Sequence, residues 1–160
     1  MKTVAAVQVN EGQPLLIEEI ELPDPGYDQV FVKLYSSGVC HSQLHQMHSP
    51  GLGRPLLLGH EGTGVVRAIG KGVTHLKEGD KCIVTWVPRT PIRGRPDWQP
   101  SGATWQGQAA HGHVYTWSRD VLTHQSLVVP IAHEHPNDLS CIVGCAVLTG
   151  AVAELDRPAQ

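Results

Sequence analysis

Between Gln29 and Ser36, apolar and polar residues alternate. Val30, Val32 and Leu34 fall on one side and Lys33 and Tyr35 on the other, the period of two expected of a half-buried strand. Strand-like runs also occupy Met1 to Asn10, with Val4, Val7 and Val9 among small residues, and Gln13 to Leu22, with a turn at Asn10-Glu11-Gly12 between them. Pro23-Asp24-Pro25-Gly26 is a strong turn signal, because proline fixes φ and glycine frees it. Val65 and Val66 favour a strand that Gly70-Lys71-Gly72 ends, and Lys77-Glu78-Gly79-Asp80 is a further turn. Lys81 to Val87 reads as a strand with Cys82, Val84 and Trp86 on one face. Pro88 to Gly107 is rich in proline and glycine and lacks periodicity, so a surface loop is expected there. Val114 to Trp117 and Ser126 to Ile131 are predicted as short strands.

Helical spacing is confined to two places. One is Cys40 to Met47, long enough for one or two turns; the other is the stretch from Asn137 onward, where Asn137 or Asp138 is the expected N-cap. Many short strands cut by turns and followed by a helical tail predict a mostly β barrel or sandwich. There is no internal repeat.

A chain of 160 residues can form one domain with a real core, burying about 70% of its unfolded surface. A net charge of -3 supplies no basic surface, so neither nucleic acid nor an anionic membrane is the expected partner. No apolar run reaches the length of a membrane span, and the N-terminus lacks the apolar region of a secretion signal. Four cysteines, Cys40, Cys82, Cys141 and Cys145, are too sparse for a disulfide scaffold, so a reducing, cytoplasmic setting is expected.

Candidate chemistry gathers around Gly59-His60-Glu61-Gly62-Thr63-Gly64, where an imidazole and a carboxylate adjoin glycines that permit tight backbone geometry. Cys40 precedes this stretch and Cys145 follows it. Catalytic zinc takes three ligands from Cys, His and Asp/Glu and leaves a fourth position open. Cys40, His60 and Cys145 would make such a set, although their long separations do not define a site. Taken singly, each has an ordinary structural role: a cysteine packs as a small hydrophobe, and a histidine hydrogen-bonds.

Gly59-His60-Glu61-x-x-Gly64, continued by Gly70 and Val73, resembles the signature of zinc-dependent alcohol dehydrogenases of the medium-chain dehydrogenase/reductase family. Gly38-Val39-Cys40-His41-Ser42 resembles that family's first ligand motif, Gly79-Asp80-Lys81-Cys82-Ile83-Val84 its Gly-Asp-x-Val strand, and Gly144-Cys145-Ala146-Val147-Leu148-Thr149-Gly150 its third ligand motif. The four stretches stand in the family's order. The resemblance implies a GroES-like, partly open β-barrel with short helices and a helical C-terminal tail. It also implies one catalytic zinc on Cys40, His60 and Cys145, with Glu61 behind it as a supporting carboxylate or alternate ligand. Ser42 would touch the substrate oxygen, His45 would pass the proton toward solvent, Trp86 would line the substrate pocket, and Thr149 would lie against the nicotinamide. The implied reaction is the interconversion of an alcohol and an aldehyde with NAD or NADP.

Three departures from the family pattern bear on this. Gln43 stands near where the family has an acidic residue, so the ligand histidine gains no added negative charge. Pro88 to Gly107 has no cysteine, so no structural zinc is expected, and His111 and His113 read as a solvated pair in preference to a metal pair. No glycine-rich dinucleotide fingerprint lies between a strand and a helix, so the whole chain, 1–160, is expected to be the catalytic domain alone. Residues 136–160 would then be a tail leading into an absent Rossmann domain, and NAD(P) would enter only through a nucleotide-binding domain supplied from elsewhere. The apolar tail residues Leu139, Ile142, Val143, Val147, Leu148, Val152 and Leu155 would favour self-association or such a partner. Two other readings are a non-catalytic zinc-binding or partner-binding module and a zinc hydrolase or hydratase.

Overall fold

A computed structural model describes residues 1–89 and 100–155. Among the described residues, ten strands form two five-stranded sheets. In chain order these are β1 (Lys2–Gln8), β2 (Leu16–Glu21), β3 (Gln29–Ser37), β4 (Leu56–Leu57), β5 (Glu61–Ile69), β6 (Lys81–Thr85), β7 (Thr104–Trp105), β8 (Gln108–Ala109), β9 (Asp120–His124) and β10 (Val128–Pro130). One sheet runs β4-β1-β2-β7-β8 and the other β10-β6-β5-β3-β9, with every pairing inside them antiparallel. Antiparallel neighbours need only short turns, which agrees with the density of glycine and proline signals.

The core lies between the sheets. Val7 of β1, Ile20 of β2, Val30 and Val32 of β3, and Cys82 and Val84 of β6 are all fully buried within one cluster. Burying side chains of this size contributes about 1.5–3 kcal/mol each before entropy is counted. The alternation expected of β3 holds only in its second half: Gln29, Val30, Phe31 and Val32 are all buried, and from there Lys33 and Tyr35 are exposed with Leu34 half-buried between them.

The crossing between the sheets corrects one expectation. Val114 to Trp117 is not a strand. Its backbone groups bond outward to several elements. Ala6 N–H donates to Trp117 O at 2.8 Å, Thr116 N–H to Gly59 O at 3.2 Å and Trp117 N–H to Leu58 O at 3.0 Å, while Arg119 N–H reaches Val4 O at 2.9 Å. With the Leu34 N–H donating to Arg119 O at 2.8 Å, these bonds join β1, the entry to β5 and β3 into a partly closed barrel. The strand in this region is β9, one step later.

The expected loop over Pro88 to Gly107 is also revised. Residues 90–99 lie outside the described part, but β7 and β8 form a hairpin whose turn residues Gln106 and Gly107 both have positive φ, +50° and +77°. Such a turn matches the twist of the strands it joins.

The described residues also form the α-helices α1 (His41–Met47), α2 (Asn137–Ser140) and α3 (Leu148–Leu155). Between α2 and α3, Val143–Val147 forms a π-helical turn. The N-cap of α2 is Pro136, not Asn137 or Asp138. Among the described residues no helix is long and apolar enough to cross a membrane.

Candidate metal centre

Cys40, His60 and Cys145 come from three elements that meet at one end of the second sheet. His60 enters β5 directly after Gly59, whose φ of +94° only glycine adopts freely. A Cβ on Gly59 would also stand 2.6 Å from both Thr116 Oγ1 and the Trp117 amide nitrogen. The chain is therefore pinned against the crossing segment just where it presents the imidazole.

Cys40 has an extended backbone and occupies the N-cap of α1. Three residues on, Gln43 is buried, and its Oε1 accepts the Cys40 backbone N–H at 2.9 Å, satisfying one of the helix's free donors. The Gln43 Nε2 lies against His60 Nδ1. One amide side chain thus ties Cys40 to His60. The other ring nitrogen, Nε2, is 3.1 Å from Cys145 Sγ, and that sulfur is 3.9 Å from Cys40 Sγ.

Cys145 sits in the π-helical turn, a local geometry found often at functional sites. The turn is held from beneath by two side chains. Thr85 Oγ1, at the end of β6, donates to Gly144 O at 2.6 Å. Glu61, only 1% exposed, accepts the Ala146 N–H on its Oε2 at 3.2 Å. The Glu61 carbonyl in turn receives hydrogen bonds from Ser37 Oγ at 3.0 Å and Thr116 Oγ1 at 2.9 Å. A Cβ on Gly38 would come within 2.5 Å of the carboxylate, so glycine is what leaves room for it.

The electrostatics suit a cation. The Ser42 hydroxyl and backbone N–H beside Cys40 pull its thiol below the usual range. Burial lowers His60 and so favours the neutral ring. Burial raises Cys145, opposed by a hydrogen bond from Trp86, while Cys40 and the Glu61 charge add to the rise. Burial also raises Glu61, opposed by the Ala146 and Cys145 amides. Metal ligands must be deprotonated, and a cation relieves crowded anionic groups.

The donor set can be tested against zinc. Bonds of about 2.3 Å to sulfur and about 2.0–2.1 Å to nitrogen in a tetrahedron place two sulfurs about 3.8 Å apart and sulfur and nitrogen about 3.6 Å apart. The 3.9 Å separation of the sulfurs matches, and all three donor atoms lie within 4.8 Å of one another. The 3.1 Å separation of His60 Nε2 and Cys145 Sγ is shorter than that spacing. Two sulfurs and an imidazole are zinc's preferred chemistry, so the residues fit the ion.

The three groups open on a cleft of about 450 Å³ with Ser42, Leu57, Trp86 and Thr149 also on its walls. Trp86 does not share the buried face of β6. It follows the strand, is 49% exposed, and has its ring centroid 6.1 Å from that of His60. Ser42 Oγ is buried beside Cys40 without a hydrogen bond of acceptable geometry. Thr149 is on the exposed side of the cleft at the start of α3. Glu61 lies behind the π-helical turn and does not line the cleft. His45 is not brought into the cleft either: it is exposed on α1, edge-on to His41 with ring centroids 4.8 Å apart. His111 bridges to Leu56 in parallel fashion, and His113 joins the cleft wall.

Sequence reasoning passes over Thr85, which holds the Cys145 turn, and the apolar wall of Leu56, Leu57 and Leu58. A hydroxyl closing a strand carries no distinctive pattern, and three successive leucines read as ordinary core.

Residues 26–133 match the family model for the alcohol dehydrogenase GroES-like domain. An NDMA-dependent alcohol dehydrogenase of Amycolatopsis methanolica is 34% identical over 172 residues, covering 94% of this chain and 46% of that protein. An alcohol dehydrogenase of Moraxella sp. (strain TAE123) is 45% identical over 86 residues, which is 52% of this chain and 25% of that one. Among solved structures, an alcohol dehydrogenase zinc-binding domain protein from Burkholderia ambifaria superposes with a TM-score of 0.86 at 25% identity. That match covers 98% of this chain and 49% of that one. The chain thus spans about half the length, or less, of these relatives.

Proposed function

Because the chain belongs to the alcohol dehydrogenase GroES-like domain family, we propose that it is the zinc-binding catalytic portion of an oxidoreductase that interconverts an alcohol and an aldehyde with NAD(P). The observation that carries this reading is the convergence of Cys40, His60 and Cys145 on an apolar cleft. On this reading the three residues hold one zinc ion, whose Lewis acidity supports removal of a proton from a substrate hydroxyl. A second, structural zinc is not part of the proposal.

The chain's own residues would do the rest. Ser42, with its hydroxyl buried beside Cys40 on the cleft wall, would hold the substrate hydroxyl and take part in moving its proton. His45, exposed on the outer side of α1, would exchange that proton with solvent. Trp86 and the Leu56 to Leu58 wall would exclude water and pack the carbon skeleton, and Glu61 would keep the Cys145 turn in place. Thr149, at the open side of the cleft, would meet the nicotinamide of a cofactor gripped by a nucleotide-binding domain.

Where such a domain would dock is suggested by the tail. Leu139, Val147, Leu148, Val152 and Leu155 are all exposed. In the absence of that domain the same surface would drive self-association.

The reading is tested by zinc content. Elemental analysis of the purified protein should find about one zinc per chain, lost in Cys145→Ser. Zinc retained in the variant at the same ratio would remove Cys145 from the ligand set, and no zinc in either protein would remove the site.

A further inference from the structure

Gln43 is only 1% exposed and stands between two groups. Its Oε1 is 2.9 Å from the Cys40 backbone nitrogen, and its Nε2 faces His60 Nδ1. An amide side chain has one accepting end and one donating end. The Cys40 N–H can only donate. If His60 is to bind a metal through Nε2, the nitrogen turned toward Cys145, its neutral ring must carry the proton on Nδ1, which then donates as well. Two donors face a single acceptor, and the conflict is the same whichever way round the amide is placed.

In the arrangement observed, Oε1 serves Cys40, the amide N–H donates to Nδ1, and the ring proton is left on Nε2. The contact on the far side of the ring agrees. Nε2 is 3.1 Å from Cys145 Sγ, closer than the roughly 3.6 Å of two ligands on one zinc ion and suited to an N–H donating to sulfur. Turned over, the amide would accept from Nδ1–H and present its NH2 to the Cys40 N–H, leaving a buried donor without a partner.

We propose that Gln43 is a positioning residue that holds His60 with its proton on Nε2, the nitrogen a metal needs, and so weakens metal uptake below what the ligand set alone would give. Binding moves that proton from Nε2 to Nδ1 without changing the ring's charge, and the amide must turn over to receive it. The inference rests on the reading of Cys40, His60 and Cys145 as metal ligands.

Long-range proton–nitrogen correlation spectra of the metal-free, histidine-labelled chain test the tautomer without any metal, with His60 assigned by its loss in His60→Asn. The expected result is Nε2–H in the wild type and Nδ1–H in Gln43→Glu, whose carboxylate accepts from both neighbours. Competition against a chromophoric chelator should then show zinc bound about 10- to 100-fold more tightly by Gln43→Glu. Nδ1–H in the metal-free wild type overturns the proposal, and so does unchanged zinc affinity in Gln43→Glu. Zinc bound by neither protein overturns the metal reading instead, while the wild-type spectrum still decides which nitrogen carries the proton.

Discussion

The two halves of the candidate metal centre are held very differently. Cys40 and His60 stand on the barrel: Gly59 is pressed against the crossing segment, and Gln43 locks α1 to the ring. Cys145 stands on a tail whose α3 has no buried residue and whose Leu139, Val147, Leu148, Val152 and Leu155 are exposed. Around Cys145, Thr85 donates to Gly144 O and Glu61 accepts the Ala146 N–H, and these two side chains tie the tail to the sheet. Local stability follows the density of buried contacts, so one half of the site should share the barrel's stability while the other opens at much lower cost. Metal binding would then join a rigid pair of ligands to a weakly held third.

The largest expected effect breaks the rigid half. A Cβ on Gly64 of β5 would lie 2.3 Å from Lys33 O, a backbone atom of the neighbouring strand. Gly64→Ala should cost about 3 kcal/mol in chemical denaturation, and the loss of sheet structure should take zinc binding with it. The next breaks only the tail. Glu61→Leu leaves the Ala146 N–H without its acceptor, a cost of about 1–3 kcal/mol. Hydrogen exchange should rise across 143–149 and zinc should be lost, while the barrel's unfolding midpoint changes little, since burial already disfavours the Glu61 carboxylate. A midpoint that falls as far as the zinc affinity would show that the two halves are one cooperative unit.

Thr85→Val keeps the shape of the side chain and removes its hydrogen bond to Gly144 O. About 1 kcal/mol of tail docking should go, read as faster transfer of zinc to a chelator. The smallest effect lies in the barrel, away from the candidate metal centre. Burial lowers His124, with the Asp28 carboxylate working against it, and the neutral ring accepts the Ser126 N–H at 3.1 Å. The fold favours the uncharged ring, so this contribution is complete above the ordinary histidine value of about 6.5 and is lost as the pH falls through the lowered folded value. Unfolding at neutral and mildly acid pH should therefore show a slightly steeper loss for the wild type than for His124→Asn.

The strands most legible in the sequence were those with a local signature. β3 has alternating residue types, β1 and β2 are separated by Asn10 to Gly12, and β6 follows a Gly-Asp turn; all appear close to where the pattern predicts. β9 was missed because Val121, Leu122 and Thr123 are all buried, which removes the alternation that marks a strand with one wet face. Val114 to Trp117 has strand-like residues but divides its backbone hydrogen bonds between β1 and the Leu58–Gly59 link. No window of sequence reveals that choice of partners.

What the sequence by itself determined is the inventory: which residues can ligate, where glycine relieves the backbone, which faces are apolar, and that the tail is helical. These are properties of residue type and short spacing. The tertiary structure alone decided the relations among them. It turned Trp86 outward beside His60, set Glu61 and Thr85 beneath the Cys145 turn, left His45 outside the cleft, and placed one amide between two donors. Each of these depends on strands and turns distant in sequence meeting at fixed angles, and hydrogen-bond direction is settled only when the facing atoms are known.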